Sequence, residues 1–229
     1  MNYFITPPST HYDGGLGTTG CNFRHAAETL KEHSSPADGI LPISYLHRHA
    51  VELFLKSIIF ILQKKYNLRF GETYSINRPG IKVNGKWVSM ENTHNLSDLY
   101  SYFSETYESC KNLLPESAKQ WNFPSDVNTK INRVSGTDPK STFFRYPKAG
   151  SEQQDYKKSK VQKVKFEGAF ENQNKPRKLV LMFDENEKLM ETYDLDSDAL
   201  SGVQHDLEYL SDFFLGVHGA FRAELTNGT

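Results

Sequence analysis

Tyr45, His49, Glu52, Lys56 and Gln63 recur at intervals of three, four and seven residues, with Arg48 beside His49. On a helix turning about 100° per residue, they share one narrow face. A histidine passes protons near neutral pH, and a carboxylate one turn on can fix its tautomer. A lysine a further turn along, together with the arginine, supplies charge for a phosphate. This is chemistry suited to a phosphate-bearing ligand. The same residues also have a purely structural account. Glu52 and Lys56 form an i, i+4 ion pair in the favoured orientation, and His49 joins it through one ring nitrogen. Buried polar groups without partners cost on the order of 1–3 kcal/mol each, so the stripe is either paired internally or open to a cleft.

Arg145 and Tyr146, set between Phe144 and Pro147, are a second candidate. A guanidinium flanked by aromatics suits phosphate contact or base stacking, and equally suits packing over a ring or pairing with Glu52. Lys157, Lys158, Lys160, Lys163 and Lys165, with Tyr156 and Phe166 among them, could track a nucleic-acid backbone, although a solvated loop face is the simpler account. The net charge of −1 hides this asymmetry: residues 148–178 carry nine basic and four acidic groups, residues 179–229 two and eleven.

Other chemistries find no support. Asp184, Glu185, Glu187, Asp194, Asp196 and Asp198 lack the glycine and closing glutamate of a calcium loop, and Cys21 and Cys110 fit neither a zinc spacing nor a disulfide framework. No metal or cofactor is therefore expected. There is no nucleophile elbow, His-Glu-x-x-His or Walker lysine. Gly14-Gly15-Leu16-Gly17 follows no strand and precedes no Gly-Lys, so it is not read as a phosphate loop. His205 and His218 are expected at the surface or core edge.

The elements that must position these residues follow from periodicity and punctuation. Residues 1–20 read as an irregular arm. A first helix is expected from Asn22 to about His33, where Ser34-Ser35-Pro36 stops it. A second spans Leu41 to Asn67, with Pro42 in its first turn and Leu46, Ala50, Val51, Leu53, Phe54, Leu55, Ile58 and Ile61 around the rest of its circumference. Asn84-Gly85 marks a type I′ hairpin within an insertion at 68–93. Thr93 or Asn95 caps a third helix carrying Leu96, Leu99, Tyr100, Phe103, Tyr107 and Cys110, which Pro115 ends. A brief helix near Asp126–Val134 precedes an extended or turning segment at 141–147. A loop at 149–177 reads as mobile and leads to a second hairpin, 178–183 with 188–193, the second insertion covering 149–194. The final helix, about 196–225, aligns Leu200, Val203, Leu207, Leu210, Phe214, Val217 and Phe221. With 229 residues, a mean hydropathy of −0.62, no signal-like N-terminus and no spanning apolar run, the chain reads as one mainly α, soluble, cytoplasmic domain without membrane contact.

Tyr45-Leu-His-Arg-His-Ala-Val-Glu-Leu-Phe-Leu-Lys56 resembles the signature helix of the HEPN superfamily, in particular bacterial members with a His-Ala-x-Glu-Leu-x-Leu-Lys pattern. His94-Asn-Leu-Ser-Asp-Leu99 and Phe144-Arg-Tyr-Pro147 are similar to further pieces of it, so the likeness covers three short stretches. It implies a HEPN-like antiparallel helical bundle with two β-hairpin insertions, a homodimer, and RNA or a nucleotide as partner in a bacterial defence or toxin-related system. It also implies metal-independent ribonuclease chemistry. The family's catalytic signature is Arg-x-x-x-x-His, and no histidine here has an arginine five residues before it. Catalysis would then rest on His49, Arg48, His94 and Arg145 gathered in space, with Tyr45, Glu52, Lys56 and Tyr146 binding the ligand. The alternative is a non-enzymatic protein–protein module or dimerising scaffold in which the stripe is a buried network.

Overall fold

A computed structural model describes residues 6–34, 39–71, 73–119, 121–170, 178–195 and 199–228. It is mainly helical, with two small antiparallel sheets, and separates into two compact units: Met1–Arg145 with Val203–Thr229, and Tyr146–Gly202.

The first unit is built on α2 (Ile40–Lys65), whose Ala50, Val51, Phe54, Leu55, Ile58, Ile59, Ile61 and Leu62 are fully buried. A helix apolar over so much of its surface needs neighbours on nearly every side. α1 (Leu16–His33) lies against it in the opposite sense, Gly20 meeting Phe54 and Phe23 meeting His49. α3 (Leu96–Cys110), capped by the Asn95 side chain, and α7 (Ser201–Thr226) pack on other faces. Both run in the same sense as α2, as the pairs Glu52–His94 and Gln63–Tyr102, and His47–Ser211 and Ser57–His218, require. The expected antiparallel order thus holds for α1 and not for α3 or α7. For α3 the reason is the segment before it, which runs back along α2, its Gly80 carbonyl meeting Gln63 and its Glu91 carbonyl meeting Lys56. That segment holds the hairpin of β1 (Gly80–Val83) and β2 (Lys86–Ser89), with Asn84 and Gly85 at φ 49° and 79° as a type I′ turn demands. α4 (Glu116–Lys119) and α5 (Asp126–Thr137) close the unit around an aromatic cluster of Phe103, Tyr107, Trp121, Phe123 and Phe221.

The irregular arm expected at 1–20 needs correction. α1 begins at Leu16, six residues early, because the Asp13 carboxylate accepts the amides of Gly15 and Gly17 and so caps it. Gly14 and Gly15 supply the positive φ values, 65° and 86°, that the entry turn uses. Gly17 serves another purpose: a β-carbon there would lie 2.0 Å from the His218 ring. Gly17→Ala is accordingly expected to destabilise by about 1–3 kcal/mol through overpacking. Gly216→Ala on α7, where a β-carbon meets nothing within 4 Å, should hold or raise the melting temperature. Thermal denaturation of the two variants side by side checks this.

The second unit contains α6 (Glu152–Tyr156) and a three-stranded sheet in the order β3-β5-β4, from β3 (Gln162–Val164), β4 (Leu179–Phe183) and β5 (Leu189–Asp194). The expected second hairpin is present. The loop expected at 149–177 is corrected by α6 and by β3, which pairs with β5 through Gln162–Asp194, Lys163–Tyr193 and Val164–Thr192. Of the basic groups expected there, Lys163 pairs with Glu191 at 2.5 Å and Lys158 with Asp155 at 2.5 Å, so that face is partly neutralised within the unit. Ser35, Pro36, Lys175, Arg177, Asp196 and Asp198 lie outside the described residues. Among the described residues no helix is long and apolar enough to cross a membrane.

Candidate functional site

The polar stripe of α2 is divided between an internal network and a cleft. Glu52, fully buried, is the hub. Its Oε1 accepts the Lys56 ammonium at 2.8 Å and lies 2.9 Å from His94 Nδ1, while Oε2 accepts Arg48 Nη1 at 3.0 Å. Burial by itself would push this carboxyl up, but the Lys56, Arg48 and His94 partners outweigh it and bring the group below its ordinary value. Arg48 turns away from any cleft. Its Nε sits 3.0 Å from Asp138 Oδ2, and its Nη2 donates to the carbonyls of His94 and Asp138. Asp138 in turn accepts the amides of Thr142 and Phe143 and so fixes the turn before Arg145. Two cations face two carboxylates, which leaves the cluster neutral.

Arg48 was expected to meet a phosphate, and this has to be corrected. With a side chain 0% exposed and committed to two carboxylates and two carbonyls, it is a structural cation joining α2 to the 94 and 138 turns.

One member of the network reaches outward. The His94 side chain is 47% exposed. With Nδ1 turned to a carboxylate, the neutral form of the ring is the tautomer that donates from Nδ1 and carries its lone pair on Nε2, on the side away from Glu52. Orientation of this kind suits a general base. His94 lines a cleft of about 700 Å³, together with His49, Lys56, Phe60 and Lys64 from α2, Tyr12 and Asp13 from the N-terminal segment, and Arg78 and Glu91 from either side of the hairpin. A polar recess beside β2, with Trp87, Asn92 and Asp98, also reaches His94, so the imidazole stands between two depressions. Lys56 spends two of its three N–H groups on Glu52 and the Glu91 carbonyl. Lys64 donates to the Tyr12 carbonyl and lies 4.2 Å over the Tyr12 ring.

The remaining expected site residues are only partly gathered. His49 lines the cleft, edge-on to Phe23 at 4.4 Å and stacked with Tyr45 at 5.9 Å. Burial pushes its imidazole down, so at neutral pH it is uncharged. Arg145 lies 5.7 Å over the Tyr45 ring, with Nε donating to the Ser141 carbonyl, which matches the packing account rather than pairing with Glu52. Tyr146, 53% exposed, belongs to the second unit. Tyr12, Lys64 and Arg78 had not been anticipated. A lysine one turn beyond Phe60 and two beyond Lys56 was the available signal for the second of these.

A second polar cluster lies deeper. Ser57 Oγ donates to Asp13 Oδ2 at 2.5 Å and is 3.0 Å from His218 Nδ1, all three residues being buried. The residue types are those of a hydrolase triad, but the serine proton points to the carboxylate rather than to the imidazole, so no nucleophile is activated. The cluster ties the N-terminal segment, α2 and α7 together, and His218, expected near the surface, is a core residue. Burial holds its imidazole at about 4, against the opposing pull of Asp13. An unfolded histidine titrates near 6.5. Between those values the unfolded chain takes a proton that the folded chain refuses, so the stabilisation is complete above about pH 6.5 and declines as pH falls towards 4. His47 and His49, also lowered by burial, add slopes of the same sign. Asp13, held down by Ser57 and two amides against the effect of burial, acts only below its model-compound value of 3.8. A chemical-denaturation series from pH 7 to 4.5 is expected to lose on the order of 2 kcal/mol through His218, and the profile of His218→Gln should be flatter.

Among the described residues no three His, Cys, Asp or Glu side chains are grouped to hold a metal ion. A scan against protein-family models, a search of the curated proteins and a search of the solved structures each find no match.

Proposed function

We propose that the chain is a HEPN-like protein whose α2 cleft binds single-stranded RNA or a nucleotide and cleaves a phosphodiester without a metal, in a bacterial defence or toxin-related setting. The observation that carries this reading is the Glu52–His94 pair, a buried carboxylate orienting a half-exposed imidazole at the edge of an aromatic-bearing cleft whose lining also holds Lys56, Lys64 and Arg78 beside the carboxylates of Asp13, Glu52 and Glu91. In this reading the His94 Nε2 takes the proton of a ribose 2′-OH, the oxygen attacks phosphorus, and the departing 5′-oxygen is protonated from solvent. The charge developing on phosphate, which Arg48 is not placed to meet, falls to Lys56, Lys64 and Arg78. Tyr12 and Phe60 supply faces on which a base can stack. His49, neutral and hemmed by aromatics, shapes the wall.

Fluorescence anisotropy with a labelled single-stranded RNA tests the binding half. The wild type is expected to bind, and Lys64→Ala and Arg78→Ala should each weaken binding several-fold and lower the salt slope by about one. No binding by the wild type at low salt would exclude the reading. It would leave the second one, a non-enzymatic interaction module, which the internal engagement of Arg48 by Glu52, Asp138 and the His94 carbonyl favours.

A further inference from the structure

We infer that β4 is a self-association edge, through which two copies of this chain join their three-stranded sheets by antiparallel β4–β4 pairing. β4 is an edge strand, and among the described residues only β5 pairs with it. The Leu195 amide bonds the Lys178 carbonyl and the Asp184 amide bonds the Lys188 carbonyl, so Lys178, Val180, Met182 and Asp184 turn their backbone groups towards β5. Those of Leu179, Leu181 and Phe183 therefore face outward.

Edge strands are usually guarded by charge, proline or brevity. β3, at the opposite edge, follows that rule: it is three residues long and carries Lys163. β4 breaks it with Leu-Val-Leu-Met-Phe, of which Val180, Leu181, Met182 and Phe183 are 42, 39, 50 and 57% exposed. Charge lies only at its ends, Lys178 before and Asp184 after.

That polarity selects the occupant. In antiparallel pairing centred on Leu181, Lys178 opposes Asp184 of the second copy, Leu179 opposes Phe183, and Val180 opposes Met182. Parallel pairing would set like charges together. Outward-facing Leu181 then meets its own counterpart as a hydrogen-bonded pair, as a two-fold axis requires. Asp184 uses Oδ1 for the amides of Asn186 and Lys188, and its carboxylate can accept a further partner. Such an interface closes on itself, and the charged β3 edges do not extend it.

Analytical ultracentrifugation of the full chain over a concentration series is the test. The wild type should sediment as a dimer. Leu181→Pro removes an N–H that β5 does not use, so it should keep the far-UV circular dichroism spectrum and give monomer. Lys178→Glu, which faces a carboxylate with a carboxylate, should weaken the dimer at least tenfold. As a separate reading, Leu181→Cys should cross-link to itself on oxidation and Val180→Cys should not. A monomeric wild type, or a dimer that survives both Leu181→Pro and Lys178→Glu, would overturn the inference.

Discussion

Glu52→Leu is expected to be the most damaging single substitution in the chain, lowering stability by about 3–5 kcal/mol. Glu52 gathers three hydrogen-bonding partners from one helix and a turn: Arg48 and Lys56 within α2, and His94 just before α3. Its removal leaves Lys56 with only the Glu91 carbonyl and Arg48 with one carboxylate in place of two. An uncompensated buried cation costs far more than a mutated surface ion pair, for which the loss is about 0–1 kcal/mol. Asp138→Asn removes the other negative charge and should fall in the same direction. The exposed pair Lys111–Glu108 provides the contrast, and Glu108→Ala should be near neutral. Urea denaturation of the three variants, read at a common m-value, separates these cases.

His94→Ala should behave in the opposite way, keeping the fold and losing the proposed RNA cleavage. The ring contributes one hydrogen bond to Glu52 and is nearly half exposed, while Lys56 and Arg48 continue to pair with the carboxylate. Its removal is expected to change stability by about 1 kcal/mol or less. Loss of a general base typically costs 10²–10⁴-fold in rate, so under the proposed reading RNA cleavage should fall by about that factor while binding, assigned there to Lys64 and Arg78, stays within a few-fold. His94→Gln keeps a donor for Glu52 but offers no basic nitrogen, and should be no better than alanine in rate. Cleavage rates and anisotropy measured on the same preparations check both halves.

The contrast between Glu52 and His94 bears on what was legible in the sequence. Period and punctuation were enough to place α2 and the Asn84-Gly85 hairpin and to narrow the α3 cap to Thr93 or Asn95, of which Asn95 is the one used, because each is set by local chemistry. They also showed that α2 carries a polar stripe needing partners. They could not assign those partners. Arg48 and His49 are adjacent, yet the 100° between them sends one into Asp138, ninety residues away, and the other to the cleft wall. Ser57 gave no hint of Asp13 or His218, and Gly17 showed its purpose only once α7 lay against it. β3 was missed because three residues with a central lysine have too little pattern to show pairing that β5 alone supplies.

The cleft reading turns on one measurement. Wild-type protein is incubated, in excess chelator, with a labelled single-stranded RNA and with its fully 2′-deoxy counterpart, beside His94→Ala. The expected result is cleavage of the RNA alone, leaving a 2′,3′-cyclic phosphate end, with no product from the deoxy strand and a loss of at least about a hundredfold in the variant. Intact RNA with the wild type, or equal cleavage by His94→Ala, would contradict it.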